Sequence, residues 1–124
     1  MSAHNARPIV LLVEDEPVIR ACLVEAFEVD GIAVLDAADG DGAVRILEQN
    51  ACRVCAVFSD INLPGSMNGV LLAEHARKHW PWVRVVLASG RPKPDNFEIS
   101  PGTRFFQKPY GINSVVGHVR ELIA

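Results

Sequence analysis

The chain has 124 residues, enough for one domain with a real core and too few for two. Its 49% hydrophobic and 22% charged residues are a globular composition, and 12 basic against 15 acidic residues, a formal charge of −3, supply no basic face for nucleic acid. No apolar run approaches the roughly 18 residues of a membrane span, and the polar stretch 1–7 lacks an apolar signal core, so a cytoplasmic location is expected.

Short apolar runs then alternate with segments of helical period. Residues 8–13 read as a buried strand. Pro17 stands where a first helical turn tolerates proline; Ile19, Leu23, Ala26 and Phe27 follow at helical spacing, and Gly31 ends that helix. Residues 32–35 form a second strand, after which Asp39 can cap a helix whose apolar face is Ala43, Ile46 and Leu47. Residues 54–58 form a third strand, followed by the turn Leu63-Pro64-Gly65-Ser66. Asn68-Gly69 opens a third helix carrying Leu72, Ala73, Ala76 and Trp80, and Pro81 stops it. Residues 83–87 and 103–107 read as a fourth and a fifth strand. The last helix carries an unbroken apolar stripe of Ile112, Val115, Val116, Val119, Leu122 and Ile123.

This alternation predicts an α/β fold, a five-stranded parallel sheet covered by helices on both faces. Neither a repeat nor a linker interrupts it, so residues 1–124 read as a single domain with an ordered core of about 8–124. Three cysteines, Cys22, Cys52 and Cys55, cannot all pair internally. The last two have the two-residue gap of metal and redox sites, yet they fall in an apolar run read as a strand, where positions i and i+3 face opposite sides. No second pair completes a zinc site, so both are expected to be buried structural thiols.

Ligands of open parallel sheets bind beyond the carboxyl ends of the strands. The first strand is followed by Glu14-Asp15-Glu16, the third by Ser59-Asp60, the fourth by Ala88-Ser89-Gly90 and the fifth by Lys108-Pro109. The second ends in Asp36-Ala37 and is expected at the sheet margin. Glu14, Asp15 and Asp60 would repel one another if ionised and unpaired. A hard divalent cation resolves that repulsion, and oxygen ligands with few protein carboxylates suit Mg²⁺. With the Lys108 ammonium and the Ser89 hydroxyl, the set can surround a transferring phosphoryl group. A carboxylate nucleophile forming an acyl phosphate is a known covalent step. Each residue alone has an ordinary reading as a cap, turn or loop; the joint pattern carries the argument.

These residues resemble the receiver domains of two-component response regulators over essentially the whole chain. The segment VLLVEDEP (residues 10–17) is similar to the family's opening, and Ser59-Asp60-Ile61-Asn62-Leu63-Pro64-Gly65 to its phosphoacceptor loop. Ser89 falls at its threonine or serine position and Lys108-Pro109 at its lysine–proline pair. The resemblance implies a flavodoxin-like doubly wound sheet of order 2-1-3-4-5. It implies that Asp60 accepts a phosphoryl group from the phosphohistidine of a histidine kinase or phosphotransfer protein. Glu14, Asp15, Asp60 and the backbone carbonyl of Asn62 would bind Mg²⁺, Ser89 and Lys108 would contact the phosphoryl group, and the bond before Pro109 would be cis. Phe105 falls near the family's aromatic switch position, where an ordinary strand-core role is an equal reading. Such a domain catalyses only its own phosphoryl transfer and loss; a homodimer is left open.

Three features depart from the family pattern. Glu14 replaces the commoner Asp, and Gly90 follows Ser89 where Ala is frequent. The stretch between Ser89 and Lys108 is short and holds Pro92, Pro94 and Pro101, so at most residues 95–100 can be helical and the helix usual there is expected to be short or remodelled. A Mg²⁺-dependent phosphatase of the haloacid-dehalogenase type needs a second Asp where Asn62 stands. An FMN module would find phosphate repelled by Glu14-Asp15-Glu16. A dinucleotide fold would need glycine at Arg45. His75 and His79 share a helix face without a visible third metal ligand, which favours a solvated face. A receiver-like docking module that is never phosphorylated stays as the non-enzymatic alternative.

Overall fold

The computed structural model describes residues 8–90 and 103–124. In chain order these form β1 (Ile9–Val13), α1 (Pro17–Val29), β2 (Ala33–Ala37), α2 (Gly40–Asn50), β3 (Val54–Asp60), α3 (Gly69–His79), β4 (Arg84–Ser89), β5 (Arg104–Gln107) and α4 (Ile112–Ile123). The strands make one parallel sheet of order β2-β1-β3-β4-β5, the doubly wound arrangement expected of the alternating pattern.

Every residue of β1 is buried, because it is flanked by strands at both edges and by helices on both faces. Alternation along the strands divides the core in two. Leu11, Val13, Val57 and Leu87 pack with Leu47 of α2 and with Leu72 and Ala76 of α3. Val10, Leu12, Phe58 and Val86 pack on the other face with Leu23 and Phe27 of α1 and with Val115 and Val119 of α4. Local sequence starts two of the helices. The Asp39 carboxylate accepts the Gly42 N–H at 2.7 Å, and the Asn68 side chain accepts the Leu71 N–H at 2.9 Å. Gly31, at φ +83°, closes α1 in the left-handed region.

Register aligns the strand ends. Val13 lies beside Ala37 and Ser59, Asp60 beside Ala88, and Ser89 beside Gln107. All polar termini of the sheet therefore emerge along one edge.

Several expectations are corrected. β3 runs through Asp60 and β4 through Ser89, because ladder bonds to their neighbours continue past the apolar run. Cys52 sits exposed in the turn before β3, and Cys55 is only half-buried, so neither is a buried core thiol. Ile19 is 39% exposed, whereas Leu23 and Phe27, further along the same helix, are fully buried. Trp80 caps the end of α3 and packs partly against the core. The expected shortening over residues 95–100 lies outside the described residues. Among the described residues no helix is long and apolar enough to cross a membrane.

Phe27 is fully buried between α1 and the sheet. Phe27→Ala should cost about 3–5 kcal/mol of unfolding free energy through lost burial and the cavity left behind. Urea unfolding checks this as a lower midpoint at unchanged slope.

Candidate functional site

The aligned strand ends gather acids, a hydroxyl and an ammonium group. Glu14 follows β1 and Asp60 ends β3; both are buried, at 3% and 7% exposure, while Asp15 is exposed. One carboxylate oxygen from each of Glu14, Asp15 and Asp60 lies within 4.8 Å of the others, the only such acid group among the described residues. Three hard oxygen donors at this separation are suited to Mg²⁺.

Lys108 follows β5 and reaches into the cluster. Its Nζ donates to Asp60 Oδ2 at 2.8 Å and stands 3.8 Å from Glu14 Oε1. The other Asp60 oxygen, Oδ1, accepts the backbone N–H of Asn62 at 3.1 Å. The Asn62 side-chain amide donates to Ser89 Oγ at 3.4 Å, which joins the β3 and β4 ends. Glu14 Oε2 accepts the Glu16 N–H at 3.0 Å.

Charge and burial compete here. Burial raises the Glu14 carboxyl above its usual range, and the Asp60 charge adds to the rise; the Glu16 N–H and Lys108 oppose it without cancelling it. Burial alone would lower the Lys108 ammonium, but the hydrogen bond and charge of Asp60, with the charge of Glu14, carry it above its usual value. Burial likewise raises the Tyr110 hydroxyl.

Backbone bonds place these groups. The Ile61 N–H bonds Ala88 O at 2.8 Å and the Lys108 N–H bonds Ser89 O at 2.7 Å, so the sheet ladder extends into the loops. The Lys108–Pro109 peptide is cis. Gly69 starts α3 directly against the loop: its N–H bonds Ile61 O at 2.8 Å, and a Cβ there would lie 2.8 Å from the Ile61 Cα and against the Asp60 carbonyl. Phe105 is half-buried against the α2–α3 face of the core. Tyr110 and Phe106 belong to the opposite face, where Tyr110 meets Phe58 edge-on at a centroid separation of 5.8 Å.

A family model, the response regulator receiver domain, matches residues 10–119. The chain belongs to that family. This receiver is 32% identical over 117 residues to sensor kinase CckA of Brucella abortus, a match covering 92% of the chain and 12% of the relative. It is 44% identical over 71 residues to the aerobic respiration control protein ArcA of Escherichia coli, covering 57% and 29% respectively. The chain thus spans less than a third of either relative. Among solved structures, the receiver domain of hybrid histidine kinase CckA superposes with a TM-score of 0.80 at 30% identity, covering 94% of this chain and 99% of that one. A CheY-like receiver from Methanospirillum hungatei gives 0.86 at 23% identity, covering 95% and 94%. Response regulator TrrA from Thermotoga maritima, solved with Mg(2+)-BeF, gives 0.82 at 23% identity, covering 93% and 98%.

The structure brings Glu14, Asp15, Asp60, Asn62, Ser89 and Lys108 together at one sheet edge, with Pro109 next to Lys108. Phe105 lies in β5, ahead of that edge. His75 and His79 stack at 4.2 Å on α3, and no third metal-ligating side chain joins them among the described residues. Sequence reading took Gly69 only as a helix start. Its adjacency to Asp60 is a packing fact, signalled at most by a glycine a few residues after the acid. Arg20 and Tyr110 were not singled out either. Arg20 is one more charged residue on a helix, and Tyr110 reads as a loop aromatic.

Two outcomes follow from this geometry. Gly69→Ala should destabilise the fold by about 1–3 kcal/mol, because backbone must move to admit the methyl group; denaturation midpoints and amide shifts of residues 60–62 report it. For Glu14, the folded pKa exceeds the unfolded one, so between the two the folded state holds the extra proton. Without divalent cations, the penalty is present at neutral pH and fades as pH falls through the folded value towards the unfolded value of 4.5. Glu14→Gln should therefore be more stable than wild type at pH 7, by a margin that shrinks on acidification, as thermal melts across that range will show.

Proposed function

We propose that this receiver accepts a phosphoryl group on Asp60 from the phosphohistidine of a histidine kinase or phosphotransfer protein and changes conformation in response. The observation that carries this reading is the Asp60 carboxylate itself. It is buried at a strand end, held at one oxygen by the Asn62 N–H and at the other by Lys108, beside Glu14 and Asp15. A carboxylate so held is oriented for in-line attack. An Asp60 oxygen forms a bond to phosphorus while the phosphorus–nitrogen bond of the donor breaks and its electron pair returns to the imidazole.

Glu14, Asp15 and Asp60, with the backbone carbonyl of Asn62, would hold Mg²⁺, an assignment that their hard oxygen donors support. When bound, the ion neutralises charge on the phosphoryl oxygens. Lys108 would pair with a phosphoryl oxygen, and Ser89 Oγ would donate to another, a reading supported by their contacts with Asp60 and Asn62. Both would shift as the new charge arrives, and Phe105 on β5 would move with Lys108.

Residues 1–124 act as one receiver domain, located in the cytoplasm, and turnover is limited to the domain's own phosphoryl group. The relatives support a kinase donor, since a sensor kinase and a regulator both contain the matching sequence. Homodimerisation is compatible with this reading.

The test is incubation with Mg²⁺ and acetyl phosphate, with beryllofluoride in parallel. Wild type should gain one phosphoryl group by mass and bind beryllofluoride, and Asp60→Asn should do neither. An unmodified wild type would return the domain to a pure docking role, equal modification of the variant would move the acceptor elsewhere, and steady hydrolysis of a phosphate ester would make it a phosphatase.

A further inference from the structure

The second strand carries an acid one residue before its end, Asp36, that the phosphoacceptor site does not use, and Arg20 of α1 links it to that site. Arg20 Nη1 donates to the backbone carbonyl of Glu14 at 2.7 Å, and Arg20 Nε stands 3.2 Å from Asp36 Oδ2. The Glu14 N–H is meanwhile bonded to Ala37 O at 3.0 Å. Both backbone groups of Glu14 are therefore held, one by β2 directly and one by a guanidinium that is itself anchored on β2. This fixes the backbone from which the Glu14 side chain departs towards the cluster with Asp15, Asp60 and Lys108.

Helix stability does not account for Arg20. It lies just inside the N-terminal end of α1, where a cation opposes the helix dipole, and the first turn has no acidic residue to compensate. An ion pair to an Asp36 side chain that is 49% exposed adds little to global stability. What the fork does supply is geometry, with two nitrogens aimed at two acceptors on different elements, an arrangement a lysine cannot reproduce.

We propose that Arg20, anchored by Asp36, is a positioning residue that sets the Glu14–Asp15 loop for Mg²⁺ binding. The inference rests on the phosphoacceptor reading above and adds a residue to it. Groups that orient metal ligands typically change metal affinity by about ten- to a hundredfold when removed. The position of Arg20, behind a backbone carbonyl, points to the lower end of that range.

The test is a MgCl₂ titration of the ¹⁵N-labelled chain, following the amides of residues 14–16 and 60–62. Arg20→Met should weaken Mg²⁺ binding about tenfold. Arg20→Lys, which keeps the charge, should remain weak. Asp36→Asn should give a smaller loss that does not add to that of Arg20→Met, since both act through one fork. A readout that needs no metal accompanies it: hydrogen exchange at the Glu14 amide should quicken in Arg20→Met, while amides of the β3–β4 ladder keep their protection. Wild-type affinity in both Arg20 variants, full recovery with lysine, or unchanged Glu14 exchange would overturn the positioning role. Absence of Mg²⁺ shifts in wild type would instead overturn the phosphoacceptor reading beneath it.

Discussion

Two carboxylates of like charge, Glu14 and Asp60, are buried side by side at the edge of an apolar sheet with one ammonium group against them. Much of the arrangement around them follows from that constraint. Buried like charges are tolerated only with partners, and each partner here comes from a different element. Lys108 arrives from the end of β5, the Asn62 N–H from the loop after β3, and the Glu16 N–H from the start of α1. The cluster thus ties together segments far apart in sequence. It remains only partly compensated, since the Glu14 carboxyl stays raised in spite of Lys108.

The parallel sheet makes this convergence possible. With both faces covered, the strands carry apolar residues throughout, and polar chemistry is pushed to their ends. Parallel pairing then puts all the carboxyl ends on one side. The ladder does not stop at the last strand residue: the Ile61 and Lys108 amides continue it, so the loops that carry the site leave the sheet in fixed directions. Gly69 completes the frame by allowing α3 to start against the Asp60–Ile61 backbone with no side chain between them.

Family membership and chemistry stand on different supports. The match over residues 10–119 and the superposition on the CckA receiver establish what kind of domain this is. The proposed phosphoryl chemistry rests on the environment of Asp60, where distances of 2.8 and 3.1 Å hold the two carboxylate oxygens in place. The two faces of the core also separate the aromatic residues near β5. Phe105 belongs with α2 and α3, whereas Phe106 and Tyr110 belong with α1 and α4, so a movement of β5 would be felt on both faces.

The alternation of strands and helices, the cap Asp39, the opening of the third helix at Asn68-Gly69, and the acids, hydroxyl and lysine at the strand ends were legible in the sequence. Each depends on local periodicity or on residue type at a short spacing, which a linear chain displays directly. The burial of Cys52 was misread because an apolar run does not reveal where a turn gives way to a strand. The true ends of β3 and β4 were missed because ladder bonds, not hydropathy, carry those strands through Asp60 and Ser89. Arg20 over the Glu14 carbonyl, Gly69 under Asp60, and the closer approach of Lys108 to Asp60 than to Glu14 were decided only by the tertiary structure. Those relations join residues from different elements, and their distances come from sheet register and helix packing. The residue types able to form the site were therefore set along the chain, while the positions that oppose, orient and compensate their charges were set by the fold.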